Sequence, residues 1–176
     1  MYLLTLLLWM VSTPQPGWLE ESRVSFFRFG TVKCEAENLY KQLDRNSKEQ
    51  SALLLAYKGM ARASMAECSF NPVTKFNRFN EGKKMIEDAV RSEPDNPEIR
   101  LMRLSVQVNV PDFLSYSSDI ANDRSSIIKA IEQNPRLFND IDFTLKVINF
   151  VAETAKPTES ERRIINNISK KLTDGR

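Results

Sequence analysis

The chain of 176 residues contains no histidine. That absence removes the commonest general base, every Ser–His or Cys–His nucleophile arrangement and the commonest zinc ligand. Two cysteines, Cys34 and Cys68, are too few for the four thiolates of a structural zinc site. Five glycines occur, and no two lie close enough to form a loop that cradles phosphate. Charge of either sign is also lacking in excess: 25 Lys and Arg against 23 Asp and Glu leave a net +2. Such a balance speaks against nucleic acid as a partner, which needs a concentrated basic surface. Catalysis by Asp, Glu, Lys or Tyr stays open, but no motif points to it. The expectation is a protein without cofactor or metal, and not an enzyme.

What is present is ordinary globular composition, with 41% hydrophobic and 27% charged residues, enough for one domain with a real core. The first residues, MYLLTLLLWMVSTPQPGW, carry no charge before Glu20. A run of ten mostly apolar residues from Tyr2 to Val11 is too short to cross a bilayer core of about 30 Å, but suits the hydrophobic region of a signal peptide. The break at Pro14, Pro16 and Gly17 ends any helix there. Residues 1–19 are therefore expected to be an apolar leader, with the mature chain beginning between Thr13 and Glu20 and no stable membrane span in it. No Lys or Arg precedes the run, and a buried first helix or a misassigned start codon are the alternatives. With the leader the protein is exported, periplasmic or secreted; without it, cytoplasmic. Residues 20–30 read as a connecting segment and 31–176 as a single helical domain.

Helical periodicity dominates after the leader. Only RVSFFRF, residues 23–29, has strand-like composition, and a lone strand has no partner. Seven helices are expected, at about residues 31–45, 48–68, 81–92, 97–109, 118–133, 136–155 and 158–173, with a loop over SFNPVTKFNRFN. Thr158 with Glu161 fits a capping box, and the single stripe Ile164, Ile165, Ile168, Leu172 marks a helix that closes a stack. In the antiparallel hairpin expected of the first two helices, Cys34 lies level with Ala61. Cys68 then stands roughly 10 Å further along, which predicts two free, half-buried thiols.

Three Asn-Pro pairs (Asn71-Pro72, Asn96-Pro97, Asn134-Pro135) combine a strong N-cap with a residue suited to the first helical position. Counting back from Pro94, Ala89 lies five residues before it, Ile86 eight and Gly82 twelve. This spacing resembles the second helix of a tetratricopeptide repeat. The same offsets from Pro135 give Ala130, Ile127 and Asp123, matching except at the small position. The stretches LLLAYKGMARASMAE, NPVTKFNRFNEGKKMIEDAV and PDNPEIRLMRLSVQVNVPDFL are similar to an uncharacterised family of small exported bacterial helical proteins with degenerate repeats of this kind. The resemblance covers roughly residues 50–132 and implies fold and export, not an activity. The fold expected is all-α, a short right-handed solenoid of tetratricopeptide-like helix hairpins closed by an amphipathic C-terminal helix. A generic helical bundle is the alternative.

The candidate partner surface is Tyr57, which a core position explains as well, together with the interleaved basic-aromatic stretch Phe70, Lys75, Phe76, Arg78 and Phe79. Such interleaving can stack bases beside phosphates, or it can pin a loop to the core. Arg23, Phe26, Phe27, Arg28 and Phe29 form a second cluster, either a partner-docking patch or an anchor for the chain start. Asp119 and Asp123, one turn apart, read as a solvated face rather than an acid/base pair. The leading functional expectation is a non-catalytic scaffold for a protein or peptide partner. A small-ligand carrier or carboxylate-based enzyme with an inter-helix pocket is the alternative, and a cytoplasmic RNA-associated scaffold a third possibility.

Overall fold

Asparagine and proline start two helices as the sequence predicts. The Asn71 side chain accepts from the Val73 and Thr74 amides, and the Asn96 side chain from those of Glu98 and Ile99. The computed structural model describes residues 17–29, 34–45 and 51–174. Among them every regular element is helical. The α-helices are α1 (Gly17–Phe26), α2 (Glu35–Arg45), α3 (Ala52–Ser64), α4 (Pro72–Ser92), α5 (Pro97–Gln107), α6 (Ile120–Gln133), α7 (Ile141–Thr154) and α8 (Glu159–Asp174). Short 3-10 turns follow α3 at Met65–Cys68 and α5 at Asp112–Leu114. Residues 1–16 of the expected leader lie outside the described residues. No helix among the described residues is long and apolar enough to cross a membrane.

Successive helices pack on one another, and α3 is central, touching α2, α4 and α5, while α6, α7 and α8 form a mutual trio. The α3–α4 crossing is set by glycine. A Cβ on Gly59 would stand 2.8 Å from the Gly82 carbonyl oxygen and 2.9 Å from Ile86. A Cβ on Gly82 would run into the backbone of Gly59 and Ala63. The two backbones therefore touch, and Ile86 and Ala89 follow into the buried core.

Several expectations are corrected. The stretch SFNPVTKFNRFN is not a loop: from Pro72 it is the first half of α4, because the Asn71 cap and Pro72 act as the start signal. Asn134-Pro135 does not start a helix. Asn134 closes α6 and its side chain accepts from the Arg136 amide in a turn; the left-handed Asn139 (φ 52°) then turns the chain, and Asp140 caps α7 by accepting from the Phe143 amide. Residues 20–26, expected as a connecting segment, are helical. Trp18, Leu19, Ser22, Arg23 and Phe26 share the buried face of α1, a helical spacing that the strand-like composition of RVSFFRF obscured. The core thus reaches ahead of residue 31. Cys34 and Cys68 are not free thiols but form a disulfide, with Cα atoms 5.5 Å apart. Extrapolating straight helices failed because Cys34 precedes α2 in a left-handed turn (φ 60°), while Met65–Cys68 leaves the α3 axis as a 3-10 turn. At the other end the Thr158–Glu161 capping box forms as predicted, with the Thr158 amide donating to Glu161 at 2.7 Å and the Glu161 amide donating back at 3.3 Å.

Candidate functional site: an aromatic groove

Several buried charged side chains are held in ion pairs, which withdraws them from chemistry. Arg23 donates two parallel bonds to Glu98, at 2.8 and 2.7 Å, and a third to the Phe138 carbonyl at 3.0 Å. Its guanidinium lies 4.5 Å from the Phe143 ring centroid. The Tyr57 hydroxyl donates to the same Glu98 carboxylate at 2.7 Å. Tyr57 is therefore a core residue with no exposed surface, and not part of an outer face. Burial, and then the Glu98 charge, push its phenol well above the usual range. For Arg23, burial opposes the charge but the Glu98 contacts outweigh it, so the guanidinium stays firmly protonated.

A second network centres on Asp123, which is wholly buried rather than on a solvated face. Arg103 binds it through two bonds at 2.7 and 2.8 Å, and Arg100 adds one at 2.8 Å. Arg103 also reaches Glu87 at 3.1 Å, and the Tyr116 hydroxyl donates to Glu87 at 2.7 Å. Asp119 lies 3.7 Å from Arg103. Arg124 joins α6 to α8 through Glu161 at 3.0 Å and to the Ala155 carbonyl at 2.9 Å. These carboxylates are consumed by arginine. Among the described residues no group of three or more His, Cys, Asp or Glu is placed to hold a metal.

Open space lies elsewhere, in a groove of about 660 Å³ where the ends of several helices converge. Phe26, Phe27 and Phe29 at the end of α1 form one wall. Met60, Ala63 and the 3-10 residues Ala66 and Glu67 form the floor and a second side. Pro72, Lys75, Phe76 and Phe79 come from α4, Val106 and Val110 from the end of α5, Phe113 and Leu114 from the turn that follows, and Phe150 from α7. Edge-on contacts set the walls: Phe26 on Phe150 at 5.7 Å, Phe27 on Phe143 at 5.8 Å, and Phe79 on Tyr116 at 5.8 Å between ring centroids. The polar groups inside are mostly committed. The Ser105 hydroxyl donates to the Met102 carbonyl and the Asn109 amide to the Ser105 carbonyl, each at 2.8 Å. Lys75 and Glu67 stand exposed at the groove as single charges.

Of the residues expected on a working surface, Lys75, Phe76 and Phe79 line this groove. Phe76 stays 55% exposed, whereas Phe79 is buried. Phe70 is 96% exposed, outside the lining, and Arg78 is half-buried with its guanidinium donating to the Met65 carbonyl at 2.9 Å. Phe26, Phe27 and Phe29 both anchor the chain start and line the groove, so the two readings of that cluster coincide. Sequence reasoning missed Phe113, 82% exposed, and Phe150. Phe113 follows the Val110-Pro111 break, where an exposed phenylalanine in a turn was the available signal. Phe150 sits in an unbroken apolar helix that offers no such mark. Comparison with known proteins returns no match among family models, curated proteins or solved structures.

Proposed function

We propose that the protein is a non-catalytic binding scaffold, a short solenoid of tetratricopeptide-like helix hairpins that takes bulky apolar side chains of a protein or peptide partner into its aromatic groove. The observation that carries this is the exposure of Phe76 and Phe113 at a groove whose lining is mostly apolar. A solvent-facing cluster of large aromatics costs a monomer stability and solubility unless a partner covers it. The pairing of Asp119 and Asp123 with Arg103 supports a structural rather than catalytic role for that carboxylate pair. The Gly59–Gly82 contact and the consecutive packing of α3 to α6 support the repeat architecture. The disulfide supports an exported compartment, since such bonds persist where the surroundings are oxidising. Trp18 and Leu19 of the expected leader 1–19 belong to the buried face of α1, so only a cut in the first part of the expected range, ahead of Trp18, would leave that face whole.

A small amphiphilic ligand is the second reading, favoured by the groove volume alone, which falls within the range of small-molecule sites. Selection of displayed random peptides on the full chain separates the two. Enriched peptides are expected to carry two or more bulky apolar residues. A Phe76→Asp, Phe113→Asp double variant should weaken them by about 10- to 100-fold, the equivalent of about 1.5–3 kcal/mol for one buried phenylalanine. Its thermal midpoint should stay close to that of the parent, because both side chains are exposed. Failure to enrich any sequence, while the purified protein retains a small molecule, would sink the peptide reading.

A further inference from the structure

We infer that the Cys34–Cys68 disulfide is a redox clasp on the aromatic groove: the groove grips its apolar occupant in the oxidised protein and loosens when the bond is reduced. Cys68 directly follows Ala66 and Glu67, which line the groove, and ends the 3-10 turn they belong to. Cys34 stands five residues past Phe29, which also lines the groove. The bond joins the last residue of the groove-lining 3-10 turn to the start of α2, closing a span of 34 residues that contains all of α2 and α3. Non-covalent ties lie nearby as well: Arg28 pairs with Glu35 at 3.3 Å, and the Arg78 guanidinium donates to the Met65 carbonyl of the 3-10 turn at 2.9 Å. Cys34 is held with φ 60°, a left-handed conformation that a non-glycine residue adopts at a cost. Releasing the bond frees that residue to return to the ordinary region. Both cysteines are half-buried rather than sealed, which leaves them within reach of a small thiol.

The chemistry is thiol–disulfide exchange with a dithiol as reductant. A dithiol thiolate attacks one sulfur, the Cys34–Cys68 bond breaks, and a mixed disulfide forms. The second thiol of the reductant then displaces the remaining cysteine. Two electrons and two protons pass to the protein, leaving two thiols and one cyclic disulfide of the reductant.

This inference rests on the groove being a binding site, so the test carries a readout that needs no ligand. The oxidised full chain, the chain reduced with dithiothreitol, and a Cys34→Ser, Cys68→Ser double variant are titrated with the apolar fluorophore N-phenyl-1-naphthylamine. Reduction and the double substitution should each weaken binding at least fivefold, and dithiothreitol should leave the double variant unchanged. Hydrogen exchange followed by mass spectrometry should show amides of residues 26–29 and 65–68 exchanging at least tenfold faster on reduction, with α6 to α8 unaffected. Equal affinity before and after reduction overturns the clasp. So does acceleration spread evenly over α6 to α8, which would make the bond a general staple. If the oxidised chain takes up no fluorophore, the groove reading fails separately and exchange decides: local acceleration sustains the clasp and an unchanged pattern overturns it.

Discussion

At Gly82 two residue-scale effects oppose each other, and their sizes decide the outcome. Replacing a mid-helix glycine by alanine ordinarily favours the helix by about 1 kcal/mol. Here the added methyl would meet the backbone of Gly59 and Ala63, neither of which can rotate away. Forcing α3 and α4 apart disturbs Ile86 and Ala89, both fully buried, and overpacking of this kind costs roughly 1–3 kcal/mol or more. Gly82→Ala should therefore lower the free energy of unfolding by about 2 kcal/mol in urea titration; a more stable variant would show that the helices do not touch there. Gly82 was legible in the sequence because its spacing to Ile86, Ala89 and Pro94 is local. Asp123, at the corresponding position before Pro135, was legible only as a departure from that pattern. What replaces the small residue is a carboxylate held by Arg100 and Arg103, and partners 20 and 23 residues away leave no periodic trace. Tyr57 could be read as groove-lining or as core for the same reason, since Glu98 and Arg23 join it only in three dimensions.

Elements were readable where a local start or stop signal stood alone, and misread where two signals competed. The polar, aromatic stretch before Gly82 looked like a loop, although Asn71-Pro72 announced a helix. Its early residues Val73, Lys75 and Phe76 face solvent or the groove, so the buried stripe that marks a helix begins only at Phe79. Asn134-Pro135 carried the same signature, yet Asp140 caps the helix that follows. The groove itself was half-legible. The α1 and α4 phenylalanines cluster in sequence, while Phe113 and Phe150 reach it from elements that no local rule brings together. Helix α8 offers the cleanest element-scale test. Thr158 accepts from the Glu161 amide, and its own amide and hydroxyl hold the Glu161 carboxylate at 2.7 and 2.9 Å, in place to receive Arg124. Thr158→Ala should cost about 1 kcal/mol, as N-cap losses do. In a chain of this size that lowers the thermal midpoint by roughly 2–4 °C. An unchanged midpoint would mean that α8 docks without its cap.

For the molecule as a whole, the missing histidine becomes a statement about pH. No side chain of the chain has an ordinary pKa between the carboxylate range and that of cysteine, and both cysteines are bonded. Near neutrality stability therefore has nothing on the side chains to respond to. At the acid end, burial would raise Glu161, but the Thr158 amide and Arg124 outweigh it and hold its carboxyl below the usual range. Lys41, Lys58 and Lys84 lower Glu37, Asp44 and Asp88 in the same direction, on exposed pairs that salt screens. A folded pKa below the unfolded one gives stability that is present above the unfolded value, about 4.3 for glutamate, and lost as pH falls through the folded one. At the alkaline end, burial and then Glu98 raise Tyr57, while burial and Glu87 raise Tyr116. These contributions are complete below an unfolded value of about 10 and decline as pH rises beyond it. The urea midpoint should accordingly stay flat from about pH 5 to pH 9 and fall on both sides. Glu161→Gln should start lower at neutral pH and show a shallower acid limb, since part of what protonation removes is already gone. A step in stability between pH 6 and 7, or an acid limb untouched by Glu161→Gln, would show that the fold depends on a titrating group other than those joining α6 to α8 and α3 to α5.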